Sequence, residues 1–283
     1  GVFMFLKGKI NLGDLRTEVG GTLKRVRPAV RRNKKTVVAG LMLLLLAGIA
    51  YAGPRAVVTA SQNAMAASKE LPIYCVDRKD KVVALTFDAA WGNEDTQQIL
   101  DILEKHNVKV TFFATGGWVE TYPEDVKKII EAGHAFGNHS ENHKFMTKLS
   151  DEQKKQELMK VHDKVKALTD YEMCLFRPPY GDYNDAVVRT AESLGYYTIQ
   201  WSVDSLDWKD YGVDSIIKTV TQHKNLDSGA IILMHNGAKY TADALDSVIT
   251  NLKEQGYSFV TVAQLIHTGK YHIDHTGKQI ADE

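Results

Sequence analysis

The sequence predicts an α/β domain of repeated strand–helix units, carried behind an N-terminal transmembrane helix. Three observations carry this reading. From Val76 to about Thr268 short apolar runs alternate with amphipathic stretches, and no long low-complexity insert interrupts them. Gly133, Gly195 and Gly256 each fall just past a predicted helix, where a left-handed C-cap favours glycine. An uncharged stretch from Thr36 to Pro54 follows seven basic residues between Lys24 and Lys35. Composition agrees, since 283 residues with 44% hydrophobic and 25% charged side chains can build a sizeable core.

In chain order, residues 1–35 form a basic N-terminal segment, with ten Lys and Arg against two acids, Asp14 and Glu18. Residues 36–54 are apolar on every face and stand at the short limit of the roughly 17–25 residues that span a bilayer. The positive flank predicts a cytoplasmic N-terminus and an extracytoplasmic body, the layout of a single-pass signal anchor. Ala50-Tyr51-Ala52 also presents small residues at both positions a signal peptidase reads, so cleavage after Ala52 is the alternative. Residues 55–72, rich in Ala and Ser, read as a linker away from the membrane. Residues 56–283 hold 24 basic residues against 33 acids, a net of −9, which excludes the electrostatic footprint of a nucleic-acid partner.

Residues 73–270 read as one domain, with 271–283 as a C-terminal tail. Strands are predicted over 82–87, 110–114, 135–138, 173–177, 197–202 and 230–235, with another over 259–262. Helices are predicted over 94–106, 123–132, 151–168, 185–194, 214–223 and 241–255. The helix from Asp151 follows Ser150, a good N-cap, with Gln153 at the capping-box position. Repeated strand–helix units imply parallel strands, in a closed barrel or an open doubly wound sheet. In both, groups at the C-terminal ends of strands face the site. Asp88, His139, Arg177, Asp204 and His235 all fall at or just after a strand end, which favours a barrel on which they converge. Cys75 and Cys174 are too few for a disulfide scaffold. Export would permit them to pair, and two independent buried thiols are the other reading.

The chemistry lies in five short islands. Leu85-Thr86-Phe87-Asp88 is an apolar run ending on a carboxylate, although an aspartate there also caps helices. His139-Ser140-Glu141-Asn142-His143 sets two imidazoles four residues apart, within reach of one divalent ion, although two surface histidines share that spacing. Arg177-Pro178-Pro179-Tyr180-Gly181 suggests a rigid turn, because proline fixes φ and restricts its predecessor. Asp204-Ser205-Leu206-Asp207-Trp208 puts carboxylates and an indole on one loop. In Leu233-Met234-His235-Asn236, positions two apart on a strand share a face, so Leu233 and His235 point into one pocket.

In this order, the islands resemble those of the polysaccharide deacetylases of the NodB-homology type, carbohydrate esterase family 4. The resemblance covers about residues 71–268 and implies an irregular (β/α) barrel of about seven strands. It makes His139 and His143 ligands of a divalent metal, with zinc foremost and cobalt, nickel or manganese as alternatives. It makes Asp88 the catalytic base, Arg177 its partner, and His235 the general acid. The Tyr180 N–H becomes an oxyanion donor, while Trp208, Leu233 and Pro179 become substrate walls. Asp204 or Asp207 supports the charge network. The implied activity is metal-dependent removal of N-acetyl groups from a glycan, with peptidoglycan preferred because the anchor holds the domain beside the cell wall. The segment Asp88-Ala89-Ala90-Trp91-Gly92 and the short anchor are similar to the sporulation-associated, PdaB-like branch.

One position departs from the family pattern. Ala89 stands where the family has an aspartate that is the third metal ligand. Asp95, Asn138, Glu141 and Asn142 are candidates to replace it. The departure sets a second reading beside the first, a catalytically impaired deacetylase fold that binds glycan without turnover.

Overall fold

The structure is a computed structural model, and it describes residues 69–282. The predicted anchor at 36–54 lies outside the described residues. Among the described residues, no helix is long and apolar enough to cross a membrane.

The frame is a run of parallel strands. In chain order the strands are β1 (Cys75–Val76), β2 (Val82–Ala89), β3 (Thr111–Ala114), β4 (Ala135–Asn138), β5 (Leu175–Phe176), β6 (Tyr197–Thr198), β7 (Val203–Asp204), β8 (Ala230–Asn236) and β9 (Ser258–Phe259), with β1 pairing β8 antiparallel. The hydrogen-bonded order β8-β2-β3-β4-β5-β6 is parallel throughout. The remaining side is joined by short pieces: an Ile73–Ile199 bridge beyond β6, with β1 and β7 each pairing β8. The result is an irregular α/β barrel, well paired around β2 and sparsely paired around β6.

Helices α1 (Thr96–Lys105), α2 (Gly116–Thr121), α3 (Pro123–Glu131), α4 (Asp151–Thr169), α5 (Asp185–Ser193), α6 (Val213–Thr221), α7 (Thr241–Glu254) and α8 (Val262–Leu265) follow the strands. Ser150 and Gln153 form the expected capping box at the start of α4. Gly133, Gly195 and Gly256 adopt left-handed φ values of 80°, 80° and 87°.

Every residue of β2 is buried, as a strand covered on both faces should be. Its alternation divides the core. Val83, Leu85, Phe87 and Ala89 pack in the larger apolar cluster with side chains from α1, α3 and α7. Val82 and Ala84 join Phe113, Leu175, Ile199 and Ile231 in a second cluster on the barrel side. Thr86 and Asp88 continue that barrel-side series, and two apolar layers therefore lie beneath the site.

Several boundaries moved. The strand expected at 173–177 contracts to β5, and that at 197–202 contracts to β6, with β7 forming just beyond its expected end. The strand expected at 259–262 ends at Phe259, because the Thr261 hydroxyl accepts from Gln264 N and starts α8 at Val262. Helix α2 was not anticipated. Its Gly-Gly start reads as loop, yet the Thr115 hydroxyl caps it by accepting from Trp118 N. Residues 271–282, read as a tail, form a hairpin of β10 (Tyr271–Ile273) and β11 (Lys278–Ala281), with β11 pairing β1 in parallel. Asp274 Oδ1 builds the turn by accepting from Thr276 N at 2.8 Å and Lys278 N at 3.0 Å. Cys75 and Cys174 are both free, and Cys174 is exposed.

Candidate functional site

At the C-terminal ends of the parallel strands lies a cleft of about 480 Å³, lined by Asp88, Ala90, Trp91, His139, His143, Pro178, Tyr180, Trp201, Asp204, Trp208, Leu233 and His235. Register explains much of this set. Asp88 on β2 pairs with His235 on β8, and Thr86 pairs with Leu233 one layer below. Parallel register partners share a face, so Asp88 and His235 meet across adjacent strands. His139 follows β4 and Arg177 follows β5, with Arg177 N donating to Asn138 O.

Arg177 is fully buried. Its Nη1 donates to Asp88 Oδ1 at 2.7 Å and to the Thr86 hydroxyl at 2.8 Å, and its Nη2 donates to Gln200 O at 3.1 Å. The guanidinium lies 4.2 Å from the Phe113 ring centroid. Gly137 is the register partner of Phe113, and a Cβ there would meet the ring at 2.5 Å. That glycine makes room for the aromatic floor under the arginine. Burial alone would raise the Asp88 carboxyl, but the charge and hydrogen bond of Arg177 outweigh it and hold it below the ordinary carboxylate value.

The two histidines sit on a tight loop rather than a helical turn, with left-handed φ at Ser140 (65°) and His143 (52°). Asn138 and Ser140 hold this loop: Asn138 Oδ1 accepts from Ser140 N, and the Ser140 hydroxyl accepts from His143 N. His139 Nδ1 lies 2.7 Å from Arg177 O, which requires the proton on Nδ1 and leaves the Nε2 lone pair free. The two Nε2 atoms are 3.2 Å apart. Nitrogens bound at about 2.0–2.1 Å to one ion would stand about 3–3.4 Å apart, so the pair fits a shared divalent ion. Burial pushes His139 down to about 4, against the pull of Asp88, and lowers His143 too, so both are neutral, as ligands must be.

Among the described residues, no group of three or more His, Cys, Asp or Glu is gathered as a metal cluster. None of the four candidates for a further ligand lines the cleft, and each has a partner elsewhere. Asn138 donates to Leu158 O. Glu141 binds Lys164, and Asn142 binds Glu157. Asp95 accepts from Asn236 Nδ2 and Gly237 N. Ala89 is fully buried in the apolar layer under the helices, while its neighbour Ala90 lines the cleft.

The His235 side is built differently. Asp207 is fully buried. Its carboxylate accepts from His235 Nδ1, His235 N, the Thr241 hydroxyl and Trp208 N, each within 2.7–2.9 Å. Burial works against a charged His235, but the Asp207 hydrogen bond and the charges of Asp207, Asp88 and Asp204 prevail, and its pKa is raised above the ordinary value. Asp204 lines the cleft and accepts from Leu206 N within its own loop. Of the two carboxylates read from sequence, Asp207 is the one that holds His235.

Comparison with known proteins agrees with this layout. Residues 76–199 match the family described as polysaccharide deacetylase. The peptidoglycan-N-acetylmuramic acid deacetylase PdaA of Bacillus subtilis is 37% identical over 201 residues, covering 68% of this chain and 74% of that protein. The chain belongs to the polysaccharide deacetylase family, with its NodB-type domain. The peptidoglycan-N-acetylglucosamine deacetylase PgdA of Listeria monocytogenes is 40% identical over 207 residues, 72% of this chain, and the chain spans only 43% of that protein's length. Among solved structures, BA3943 of Bacillus anthracis, described as a CE4 family pseudoenzyme, is 40% identical with a TM-score of 0.66, covering 69% of this chain and 68% of that one. A mutant of it is described as having restored enzymatic activity.

Other positions read from sequence fall as follows in this deacetylase fold. Trp208 and Leu233 line the cleft. Pro179 is buried in the turn Pro179–Gly181, and Pro178 is the proline that lines the cleft. Tyr180 has φ 60°, and the backbone bonds of its turn run from Gly181 N and Asp182 N. Its ring is 60% exposed and stacks on Phe145 with centroids 4.3 Å apart. Sequence reasoning missed Thr86, Gln200 and Thr241, which complete the hydrogen bonds of Arg177 and Asp207, and it missed Trp91, which stacks on His235. Thr86 is an ordinary polar residue on β2 that only register reveals, and Gln200 follows β6 and meets Arg177 through its backbone carbonyl.

Proposed function

We propose that this chain is a metal-dependent N-deacetylase acting on a cell-wall glycan, peptidoglycan foremost. The observation that carries the reading is the pair of charge couples facing each other across one cleft, Asp88 with Arg177 and His235 with Asp207. Named relatives that act on peptidoglycan sugars support the substrate class. His139 and His143 would hold the ion through Nε2, with zinc first and cobalt, nickel or manganese as alternatives. The ion would supply Lewis-acid polarisation of the acetamide carbonyl and acidify water.

The chain's own groups do the rest. Asp88, kept ionised by Arg177, takes a proton from water as the oxygen attacks the carbonyl carbon. The Tyr180 N–H donates to the developing oxyanion, and Leu233 packs against the acetyl methyl. His235, charged by Asp207, gives its proton to the departing nitrogen, so that acetate and a free amine separate. Trp208 and Pro178 bound the sugar, and Asp204 adds negative charge beside His235.

The basic segment at 1–35 and the apolar run at 36–54 support anchoring in a membrane with the domain outside, beside the wall. The PdaB-like first segment supports a place in sporulation.

A specific observation favours a second reading, glycan binding without turnover. Ala89 offers no donor atom, and a pseudoenzyme is among the similar structures. Two measurements on the purified chain decide: zinc per chain, and acetate released from N-acetylated peptidoglycan. About one zinc per chain, lost in His139→Ala, with acetate release abolished in Asp88→Asn, is the expected result. Substoichiometric zinc with no acetate from the wild type, while peptidoglycan is still retained, would establish the binder.

A further inference from the structure

Trp91 occupies a place that apolar burial does not explain. Its indole is 49% exposed, yet one face lies on the His235 imidazole, with ring centroids 5.2 Å apart and planes 21° from parallel. The loop carrying it is clamped to the end of β8. Gly92 O accepts from Trp118 Nε1 at 3.1 Å and Asn236 Nδ2 at 3.5 Å. Asn236 Nδ2 also donates to Asp95 Oδ1 at 2.7 Å, and Asn236 Oδ1 accepts from the Thr96 hydroxyl at 2.9 Å. Asn236 directly follows His235, so a single side chain ties the indole's loop to the strand bearing the imidazole. Gly237 keeps the approach open, since a Cβ there would meet Gly92 O at 3.2 Å and Trp91 Cβ at 3.5 Å.

An imidazole fixed by one hydrogen bond can still tilt about it. Asp207 holds the Nδ1 edge of His235 at 2.7 Å, and the stacked indole restrains the ring plane. We propose that Trp91 is a positioning residue for His235, closing one face of the imidazole so that Nε2 is left to the cleft. The inference rests on the reading of His235 as general acid. Around that ring stand the charged or titratable groups Asp207, Asp88, Asp204 and His143, none of which restrains its plane by stacking. Orientation matters because misplacing a reacting group by about 1 Å can cost about a hundredfold in rate.

The test compares Trp91→Ala and Trp91→Phe with wild type. Acetate release gives kcat and KM, and the His235 Nδ1–H resonance in histidine-labelled protein gives its exchange with water. For Trp91→Ala, kcat should fall about tenfold with KM within about threefold, and Nδ1–H exchange should quicken about tenfold, while Trp91→Phe keeps both near wild type. Unchanged Nδ1–H exchange in a folded Trp91→Ala, or a raised KM at constant kcat, would overturn the assignment. The second pattern would make Trp91 only a substrate wall. Should the wild type release no acetate, the deacetylase reading fails, and the exchange measurement alone still decides the positioning.

Discussion

The two walls of the cleft use the same residue to opposite ends. On the β4 side, His139 directs Nδ1 at a backbone carbonyl, Arg177 O, at 2.7 Å. On the β8 side, His235 directs Nδ1 at a carboxylate, Asp207 Oδ1, also at 2.7 Å. A carbonyl orients the ring without adding charge, so burial prevails and His139 stays neutral down to about 4. A carboxylate orients the ring and charges it, so His235 holds its proton above the ordinary value despite burial. One wall thereby offers a lone pair and the other a proton. The difference lies in one acceptor atom, not in the histidine.

The β4 wall also bears on folding, and it should break hardest. Arg177→Met keeps apolar volume but leaves Asp88, 5% exposed, without its cation, and strips a donor from Thr86 and Gln200 O. Removing one partner of a buried pair costs about 3–5 kcal/mol, to be read by urea denaturation near neutral pH. A loss below about 1 kcal/mol would mean that Asp88 finds water or protonates cheaply.

Next in size is Asp207→Asn, which attacks the charge of the opposite wall and keeps one acceptor oxygen. With Asp88 ionised and His235 protonated in the active form, activity follows a bell in pH. A raised His235 value extends the basic limb upward, so removing the carboxylate should draw that limb to lower pH. At pH 8 acetate release should fall about a hundredfold, and less at pH 6, where His235 can still protonate. A uniform loss at every pH would show that Asp207 acts through orientation alone.

Much of the cleft was legible in the sequence, and the reason is local. Asp88, His139, Arg177 and His235 sit at strand ends, where a repeated strand–helix pattern converges its polar groups whatever the exact pairing. What escaped needed register or shape. The reading of 271–283 as a tail missed a hairpin whose Asp274 turn is short and whose partner, β1, is two residues long. Ala89 could be seen as missing a carboxylate, but its membership of the helix-side core follows from the alternation along β2. Trp91 carried no signal as a partner of His235, because the two are 144 positions apart and meet only through the pairing of β2 with β8.

A third histidine makes the smallest and cleanest test of the comparison. His134 lies just before β4, away from the cleft, and its Nδ1 accepts from Val110 N at 3.2 Å. Burial, with Lys109 adding, lowers it to about 4, as in His139, yet no other site group touches it. A low value is therefore a mark of burial, and the atom met by Nδ1 is what separates His139, His235 and His134. Because its folded value lies below the ordinary 6.5, the unfolded chain binds the proton first. Its contribution is complete above about pH 6.5 and is lost as pH falls toward 4, reaching about 2 kcal/mol at pH 5. His139 and His143 obey the same sign, so the three histidines should share the decline. His134→Asn, which can still accept from Val110 N, should remove about 1.5 kcal/mol of the fall in stability between pH 6.5 and 5, with acetate release at pH 7 unchanged. A decline left intact would assign the acid sensitivity to the cleft wall, where His139 and His143 are both held neutral.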